Sequence, residues 1–215
     1  MIKKIKASLS EKIILFFLIS LGLFSISFFT IVKNKCLFVK NYNPSEIKFK
    51  DSQSIAILNA SCGNIIIELY PNMSPNAVKR FQMLIKSGAY NKSAFHRVIK
   101  DRLVQAGDLE FGKKNNLDYG KIGTGESGYG TIKSEFDENF QFTKGSIGLA
   151  RTFENNTEDS QFFIILQDEP LFNGEYTPVG RVLYGIEVLK KIKSQNNSEY
   201  ILRPDFINTF KMYKD

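Results

Sequence analysis

The chain has 215 residues and a formal net charge of +7, which is enough length for one domain and an extension. The first 40 residues carry +6 of this charge, because seven lysines stand there against one glutamate. The remaining chain is nearly neutral. Nucleic-acid binding needs a clustered basic face, so the charge pattern gives no support for a nucleic-acid partner.

The N-terminal region predicts a membrane anchor. Residues 13–32 are a run of twenty residues without charge or proline, and lysines lie on both sides of it. As a helix, this run would span about 30 Å, the thickness of a bilayer core. We therefore predict a basic tail at 1–12 and a single-pass transmembrane signal anchor at 13–32. The alternative is a cleaved secretory signal, although no small-residue cleavage site follows the run.

The charges around this run also bear on orientation and compartment. Four lysines and the chain amine precede the run and three lysines follow it, which favours a cytoplasmic N-terminus and an extracytoplasmic domain, on the periplasmic or secretory-lumen side. The two cysteines, Cys36 and Cys62, do not decide the compartment. Residues 33–54 are rich in polar and turn-forming residues, which predicts a linker or stalk.

Residues 55–215 predict one mostly β domain. Apolar and β-branched runs indicate strands near 55–59, 65–69, 145–151, 162–166, 178–182 and 207–213. Ser74 and Pro75 are typical of a helix start, and the helix predicted at 75–87 carries an apolar stripe that favours core packing. A second amphipathic helix is predicted at 185–193. Many short strands with two helices suit an antiparallel β-barrel with a helix at each end.

The stretch 95–107 places polar groups among residues that favour burial. It contains His96, the only histidine of the chain, followed directly by Arg97. Gln105 lies two residues after Leu103 and therefore on the same face of a strand. A buried arginine needs a reason, and the residues alone leave two open: a structural ion pair or a functional donor.

Three separated motifs resemble the cyclophilin family of peptidyl-prolyl cis-trans isomerases. They are Phe-His-Arg-Val-Ile at 95–99, Gln-Ala-Gly-Asp at 105–108, and the block at 145–166 that contains Gly-Leu-Ala-Arg and Ser-Gln-Phe-Phe. The resemblance runs from about residue 55 to residue 213. It implies a closed eight-stranded antiparallel barrel capped by two α-helices, proline-containing polypeptides as substrates, a monomer, and no metal or cofactor.

The resemblance also implies roles for individual residues. The catalytic group would comprise Arg97, Gln105, which orients it, and the neighbouring His96. The proline pocket and the strand that pairs with the substrate main chain would comprise Phe163, Leu103, Arg102, Ala150, Arg151, Gln161, Phe172 and Tyr176.

Two departures from the family pattern bear on binding. Arg102 stands where the pocket usually has phenylalanine, and we expect its charge at the groove rim, favouring an acidic residue beside the proline. Leu171 stands where some members have tryptophan, so binding of the cyclic drug cyclosporin is expected to be weakened. Two functions follow: a membrane-tethered prolyl isomerase that assists folding, or a proline-segment binding or scaffold module with weak or no isomerase activity because of Arg102.

Overall fold

A computed structural model of the chain describes residues 8–196 and 198–214. The chain divides into two compact units, one ending at Phe38 and the other starting at Val39. The first seven residues of the predicted basic tail lie outside the described residues.

The first unit is built on one long helix, α1 (Leu9–Lys33). Ser8 and Glu11 form a capping box, in which the Ser8 hydroxyl accepts from the Glu11 amide and the Glu11 carboxylate accepts from the Ser8 amide. The part Leu9–Phe29 is long and apolar enough to cross a membrane, and none of it is buried in the protein. A signal sequence meets the same criteria, so the helix alone does not distinguish an anchor from a cleaved signal.

The second unit is a curled antiparallel sheet with few helices. Its strands are β1 (Ile55–Ala60), β2 (Gly63–Leu69), β3 (Arg97–Ile99), β4 (Leu103–Ala106), β7 (Ser146–Leu149), β8 (Phe162–Ile165), β9 (Pro178–Tyr184) and β10 (Thr209–Met212). A separate two-stranded ribbon is formed by β5 (Gly112–Lys113) and β6 (Asn116–Leu117). The α-helices described in this unit are α2 (Pro75–Lys86) and α3 (Ile186–Leu189), and short 3-10 helices lie at Pro44–Glu46, Ser52–Ser54 and Pro170–Phe172.

The sheet has eight strands, as predicted, but it is not a closed barrel of paired strands. Its order is β10-β1-β2-β9-β7-β8-β4-β3, so β10 and β3 are its two edges. In the described part of the chain, the segments just before β10 meet the β3 side through isolated bridge pairs, Ala94 with Phe206 and Arg97 with Tyr200, and a few backbone hydrogen bonds. The closed barrel therefore is not seen, because the segment that meets β3 is irregular and does not form a continuous ladder.

Helix α2 confirms the predicted apolar stripe, since Ala77, Val78, Phe81, Leu84 and Ile85 are all buried. Its N-terminus is capped differently from the prediction. The Ser74 hydroxyl donates to the Pro178 carbonyl oxygen at 2.6 Å, while the Glu135 carboxylate accepts from the Asn76 and Ala77 amides. A distant acidic side chain thus satisfies the free amides of the first turn.

The second predicted helix is much shorter than expected. Helix α3 has four residues, and the chain after it continues with i to i+3 turn bonds, in which the Lys191 amide donates to Val188 and the Ile192 amide to Leu189. Of the residues predicted to face inward, Leu189 and Ile192 are buried and Ile186 is half-buried, but the backbone tightens before a second helical turn forms.

Residues 39–54, which composition predicts to be part of a stalk, pack against the sheet. The Asn41 side-chain oxygen accepts from the Asn64 amide at 2.9 Å. The rings of Tyr42 and Tyr184 lie 5.0 Å apart, as do those of Phe49 and Tyr213. These residues therefore belong to the same compact unit as the strands.

Candidate active site

Four neighbouring strands place the key residues in one row. Arg97 of β3 is opposite Gln105 of β4, Gln105 is opposite Phe163 of β8, and Phe163 is opposite Gly148 of β7. Side chains at opposed positions project from the same face of an antiparallel sheet. A Cβ atom at Gly148 would lie 2.5 Å from the Phe163 ring, so glycine there leaves the space that the ring fills.

This row opens into a cavity of about 370 Å³, which we call the Arg97 cavity. Eight of the predicted site residues line this cavity, together with four that were not predicted: Gly123, Thr152, Phe153 and Tyr200. The lining residues are Arg97, Leu103, Gln105, Gly123, Ala150, Arg151, Thr152, Phe153, Phe163, Phe172, Tyr176 and Tyr200.

The Arg97 guanidinium lies at the polar end of the cavity with its side chain 31% exposed. Its Nη1 donates to Gln105 Oε1 at 3.2 Å, and its Nε donates to Glu199 Oε2 at 2.8 Å. The Gln105 amide nitrogen in turn donates to Gln161 Oε1 at 3.0 Å. Gln161 donates to the carbonyl oxygens of Gly123 and Gly125. A chain of amides therefore connects the arginine to the loop that contains Gly123 and Gly125.

The opposite end of the cavity is apolar and aromatic. Phe163 is 3% exposed, and its ring lies 5.4 Å from the Phe172 ring and 5.1 Å from the Tyr176 ring, in edge-to-face contacts. Leu103 and Phe142 are buried in the same cluster. Such a floor and walls of rings fit a small saturated ring better than a polar group.

Arg151 fixes one side of the cavity. Its Nη1 donates to the carbonyl oxygens of Thr152 and Phe153, and its Nε donates to the Glu175 carbonyl oxygen at 3.0 Å. The guanidinium also lies over the Tyr176 ring, 5.1 Å from its centroid. One arginine thus connects the strand end after β7 to the loop that carries Tyr176.

Arg102 is not among the residues that line the cavity. Its Nε and Nη2 donate to the two carboxylate oxygens of Glu169 at 2.6 and 2.9 Å, a bidentate ion pair. The Arg102 side chain is 39% exposed, whereas that of Glu169 is only 6% exposed. Hydrogen bonds from Arg102 lower the pKa of Glu169 below its ordinary value. An acidic partner for Arg102 is therefore present within the chain itself.

His96 does not line the cavity either, and it is fully buried. Neither ring nitrogen has a hydrogen-bond partner among the residues that the structure describes. Burial lowers the pKa of His96 to about 4, against an opposing effect of Asp108. Its ring stacks on Tyr200 with centroids 6.4 Å apart. This geometry packs His96 behind the site, with Arg97 on the cavity side.

The sequence interpretation missed several residues of the site. Thr152 and Phe153 directly follow Arg151, so extending the motif by two residues would have found them. Tyr200 and Glu199 carry no comparable signal, because they lie about a hundred residues from Arg97 in a segment without periodicity. Gln161, a predicted site residue, does not line the Arg97 cavity. It lines an adjacent cavity of about 240 Å³, and the two cavities share Gln105, Gly123, Ala150, Arg151 and Thr152.

Comparison with known proteins identifies the family of the chain. Residues 55–212 match the family model described as cyclophilin type peptidyl-prolyl cis-trans isomerase/CLD. A protein of Brucella suis biovar 1, described as "Probable peptidyl-prolyl cis-trans isomerase", is 39% identical over 150 residues, which cover 69% of this chain and 76% of the relative. A peptidyl-prolyl cis-trans isomerase of Acinetobacter baylyi is 32% identical over 148 residues, which cover 66% and 73%.

Solved structures show the same architecture. A cyclophilin type peptidyl-prolyl cis-trans isomerase of Cryptosporidium parvum, crystallised in the presence of the dipeptide Ala-Pro, superposes with a TM-score of 0.65 at 27% identity, covering 75% of this chain and 99% of that one. The cyclophilin AquaCyp293 of Hirschia baltica gives a TM-score of 0.64 at 20% identity, covering 80% and 81%, and supports the fold. The chain therefore belongs to the family of cyclophilin-type peptidyl-prolyl cis-trans isomerases.

Proposed function

We propose that this chain accelerates cis-trans isomerisation of X-Pro bonds in polypeptides and that the Arg97 cavity is where it does so. The observation that supports this most is the row of Arg97, Gln105 and Phe163, which sets a cationic donor at one end of a ring-lined cavity. X-Pro bonds exchange over tens to hundreds of seconds because the amide barrier is roughly 18–20 kcal/mol. Proline-containing chains are therefore the substrates.

In the proposed mechanism, the proline ring occupies the aromatic end of the cavity. Phe163 forms the floor, and Leu103, Phe172 and Tyr176 form the walls. Arg97 donates a hydrogen bond to the imide nitrogen, whose lone pair becomes available only when the bond twists and loses resonance. The donor therefore binds the transition state better than either planar isomer, which is what lowers the barrier. Ala150 and the Arg151 backbone hold the substrate main chain.

This mechanism gives His96 and Arg102 no contact with the substrate. His96 is enclosed behind the sheet, and Arg102 is occupied by Glu169. The alternative of a binding module with weak isomerase activity rested on Arg102 replacing a pocket ring. That alternative loses its main argument, because the aromatic end of the cavity is built from Phe163, Phe172 and Tyr176 without it.

Location and partners belong to the same proposal. The apolar helix α1 tethers the protein to a membrane, and the lysine excess before it favours an extracytoplasmic catalytic domain that assists protein folding there. We further propose that the protein acts as a monomer. Weakened cyclosporin binding also stays a prediction; Leu171, at the position concerned, is 80% exposed and is not part of the Arg97 cavity.

The test is an isomerisation assay on the full-length protein in detergent micelles, using NMR exchange spectroscopy of a peptide that contains Ala-Pro. We expect Arg97→Ala to lower kcat/KM by about 100-fold or more, as loss of one transition-state donor does elsewhere. Arg181→Ala, which removes an exposed arginine of β9, is the matched control and should keep full activity. An Arg97→Ala variant that is folded and fully active would show that the assigned mechanism is wrong.

A further inference from the structure

A short segment beside β3 carries a second side-chain partner of Arg97. We call residues 198–202 the edge segment. The Val98 amide donates to the Glu199 carbonyl oxygen at 2.7 Å, and the Ile201 amide donates to the His96 carbonyl oxygen at 2.9 Å. Arg97 and Tyr200 form a single bridge pair between these bonds. The backbone on both sides of the bridge is therefore fixed, which holds Glu199 next to Arg97.

Glu199 and Gln105 hold the guanidinium through different nitrogens. Glu199 Oε2 accepts from Arg97 Nε at 2.8 Å and lies 2.7 Å from Nη2. Gln105 Oε1 accepts from Nη1 at 3.2 Å. Because the guanidinium is planar and rigid, partners at Nε and Nη1 fix its plane. Hydrogens on Nη1 and Nη2 that these two bonds do not use are left for a substrate.

The ion pair is poorly suited to a purely structural role. The Arg97 and Glu199 side chains are 31% and 51% exposed, and exposed pairs contribute little to stability. A free arginine side chain has many rotamers, and a catalytic donor is effective only when it is already aimed at the reacting atom. The effect of the pair is therefore expected in the rate of the reaction.

We propose that Glu199 is a positioning residue for Arg97, so that the edge segment is part of the active site. This inference rests on the proposed isomerase function. Gln105 and Glu199 together hold Arg97 in the orientation that donates to the imide nitrogen, and Tyr200 continues the edge segment into the cavity wall. Gly123 lets the Tyr200 ring approach, since a Cβ atom there would lie 2.9 Å from the ring.

The experiment compares Glu199→Ala and Glu199→Gln with the unmodified full-length protein in detergent micelles. We expect Glu199→Ala to lower kcat about 5- to 10-fold with KM changed less than about twofold, because a misaligned donor costs rate more than binding. Glu199→Gln keeps an acceptor oxygen and should recover part of the rate. Glu187→Ala is the matched control, since Glu187 is also an exposed glutamate in an ion pair, at 3.2 Å from Lys190.

Two further measurements decide between positioning and other roles. In an Arg97→Ala background, adding Glu199→Ala should change the rate less than about twofold, because nothing is left to position. The chemical shift of the Arg97 Nε–H, recorded by NMR without substrate, should change in Glu199→Ala and be unchanged in Glu187→Ala. Full or increased activity of Glu199→Ala, or an equal loss in both backgrounds, would overturn the inference. An inactive unmodified protein with a shifted Nε–H signal would instead overturn the proposed function.

Discussion

At the scale of single residues, neighbours in sequence have opposite environments. Arg97 faces the cavity, whereas His96 is fully buried with a pKa lowered to about 4 by burial. The family motif pairs the two residues, and the sequence alone gives no reason to separate their roles. The structure separates them, because His96 directly precedes β3 and successive side chains of extended backbone point to opposite faces.

The lowered pKa of His96 predicts a stability effect. Between pH 6.5 and about 4 the unfolded chain binds a proton at His96 that the folded chain does not, so stability falls as pH falls through this window. Over the whole window, the free energy of unfolding should fall by about 3 kcal/mol. Urea unfolding at several pH values gives this free energy at each pH, and it should fall more steeply with falling pH for the unmodified protein than for His96→Asn. An equal pH dependence in the two proteins would contradict the prediction, since carboxylates contribute similarly to both.

Arg102, which stands where the family usually has phenylalanine, has an ion-pair partner that the sequence alone does not reveal. From the sequence, the Arg102 charge is predicted at the groove rim, where it would favour an acidic residue beside the proline. In the structure, the acidic group is Glu169, which is 67 positions away in the chain. A long-range ion pair leaves no periodic signature, so it could not have been foreseen from the pattern around Arg102.

The pair predicts how substrate preference depends on Glu169. With Glu169 in place, we expect peptides with Glu or Ala before proline to isomerise at similar rates. Glu169→Gln should release the Arg102 charge and favour the Glu peptide about two- to fivefold at low salt, with the preference fading at high salt. Glu187→Gln, at an exposed carboxylate that pairs with Lys190 outside the Arg97 cavity, is the control for general charge effects. An unmodified protein that already prefers the Glu peptide would contradict this interpretation.

At the scale of elements, helices and strands with a clear local hydrophobic pattern were predicted correctly, whereas helix length and sheet closure were not. Helix α2 follows from its apolar stripe and was confirmed with the expected five residues buried. Helix α3 stops after four residues, because turn bonds replace helical ones from Lys191 onward. The closed barrel was inferred from resemblance and is not seen, since the described segments before β10 meet the β3 side in isolated bridges and not in a continuous ladder.

The turn after β3 and the segment before Phe172 are joined by the Arg102–Glu169 pair, which predicts an effect on stability. Arg102→Met removes the cationic partner of the enclosed Glu169 carboxylate, which keeps its hydrogen bond from Gln167 at 3.1 Å, and should lower the free energy of unfolding by about 1–2 kcal/mol. The double variant Arg102→Met with Glu169→Gln should lose less free energy of unfolding than the two single variants lose together. Urea unfolding of the four proteins at pH 7 measures this coupling. Additive losses would show that the two side chains do not stabilise each other.

At the scale of the whole molecule, the chain is an apolar helix and a compact catalytic unit that starts at Val39. The residues that line the Arg97 cavity lie between Arg97 and Tyr200 in the sequence, and all of them belong to the second unit. Residues 39–54 belong to that unit as well, through the Tyr42–Tyr184 and Phe49–Tyr213 contacts. A truncation for solution work should therefore keep these residues and begin before Val39.

The helix itself carries the last prediction. Leu9–Phe29 exposes its apolar side chains along its whole length, and burying such side chains in lipid is favourable by about 0.3–0.6 kcal/mol for each Leu, Ile or Phe. The full-length protein should thus remain with membranes through an alkaline carbonate wash, and its mass should match 215 residues. A variant lacking residues 1–33 is the control and should be released. Recovery of a soluble form shortened by about 30 residues would show instead that the helix is a cleaved signal.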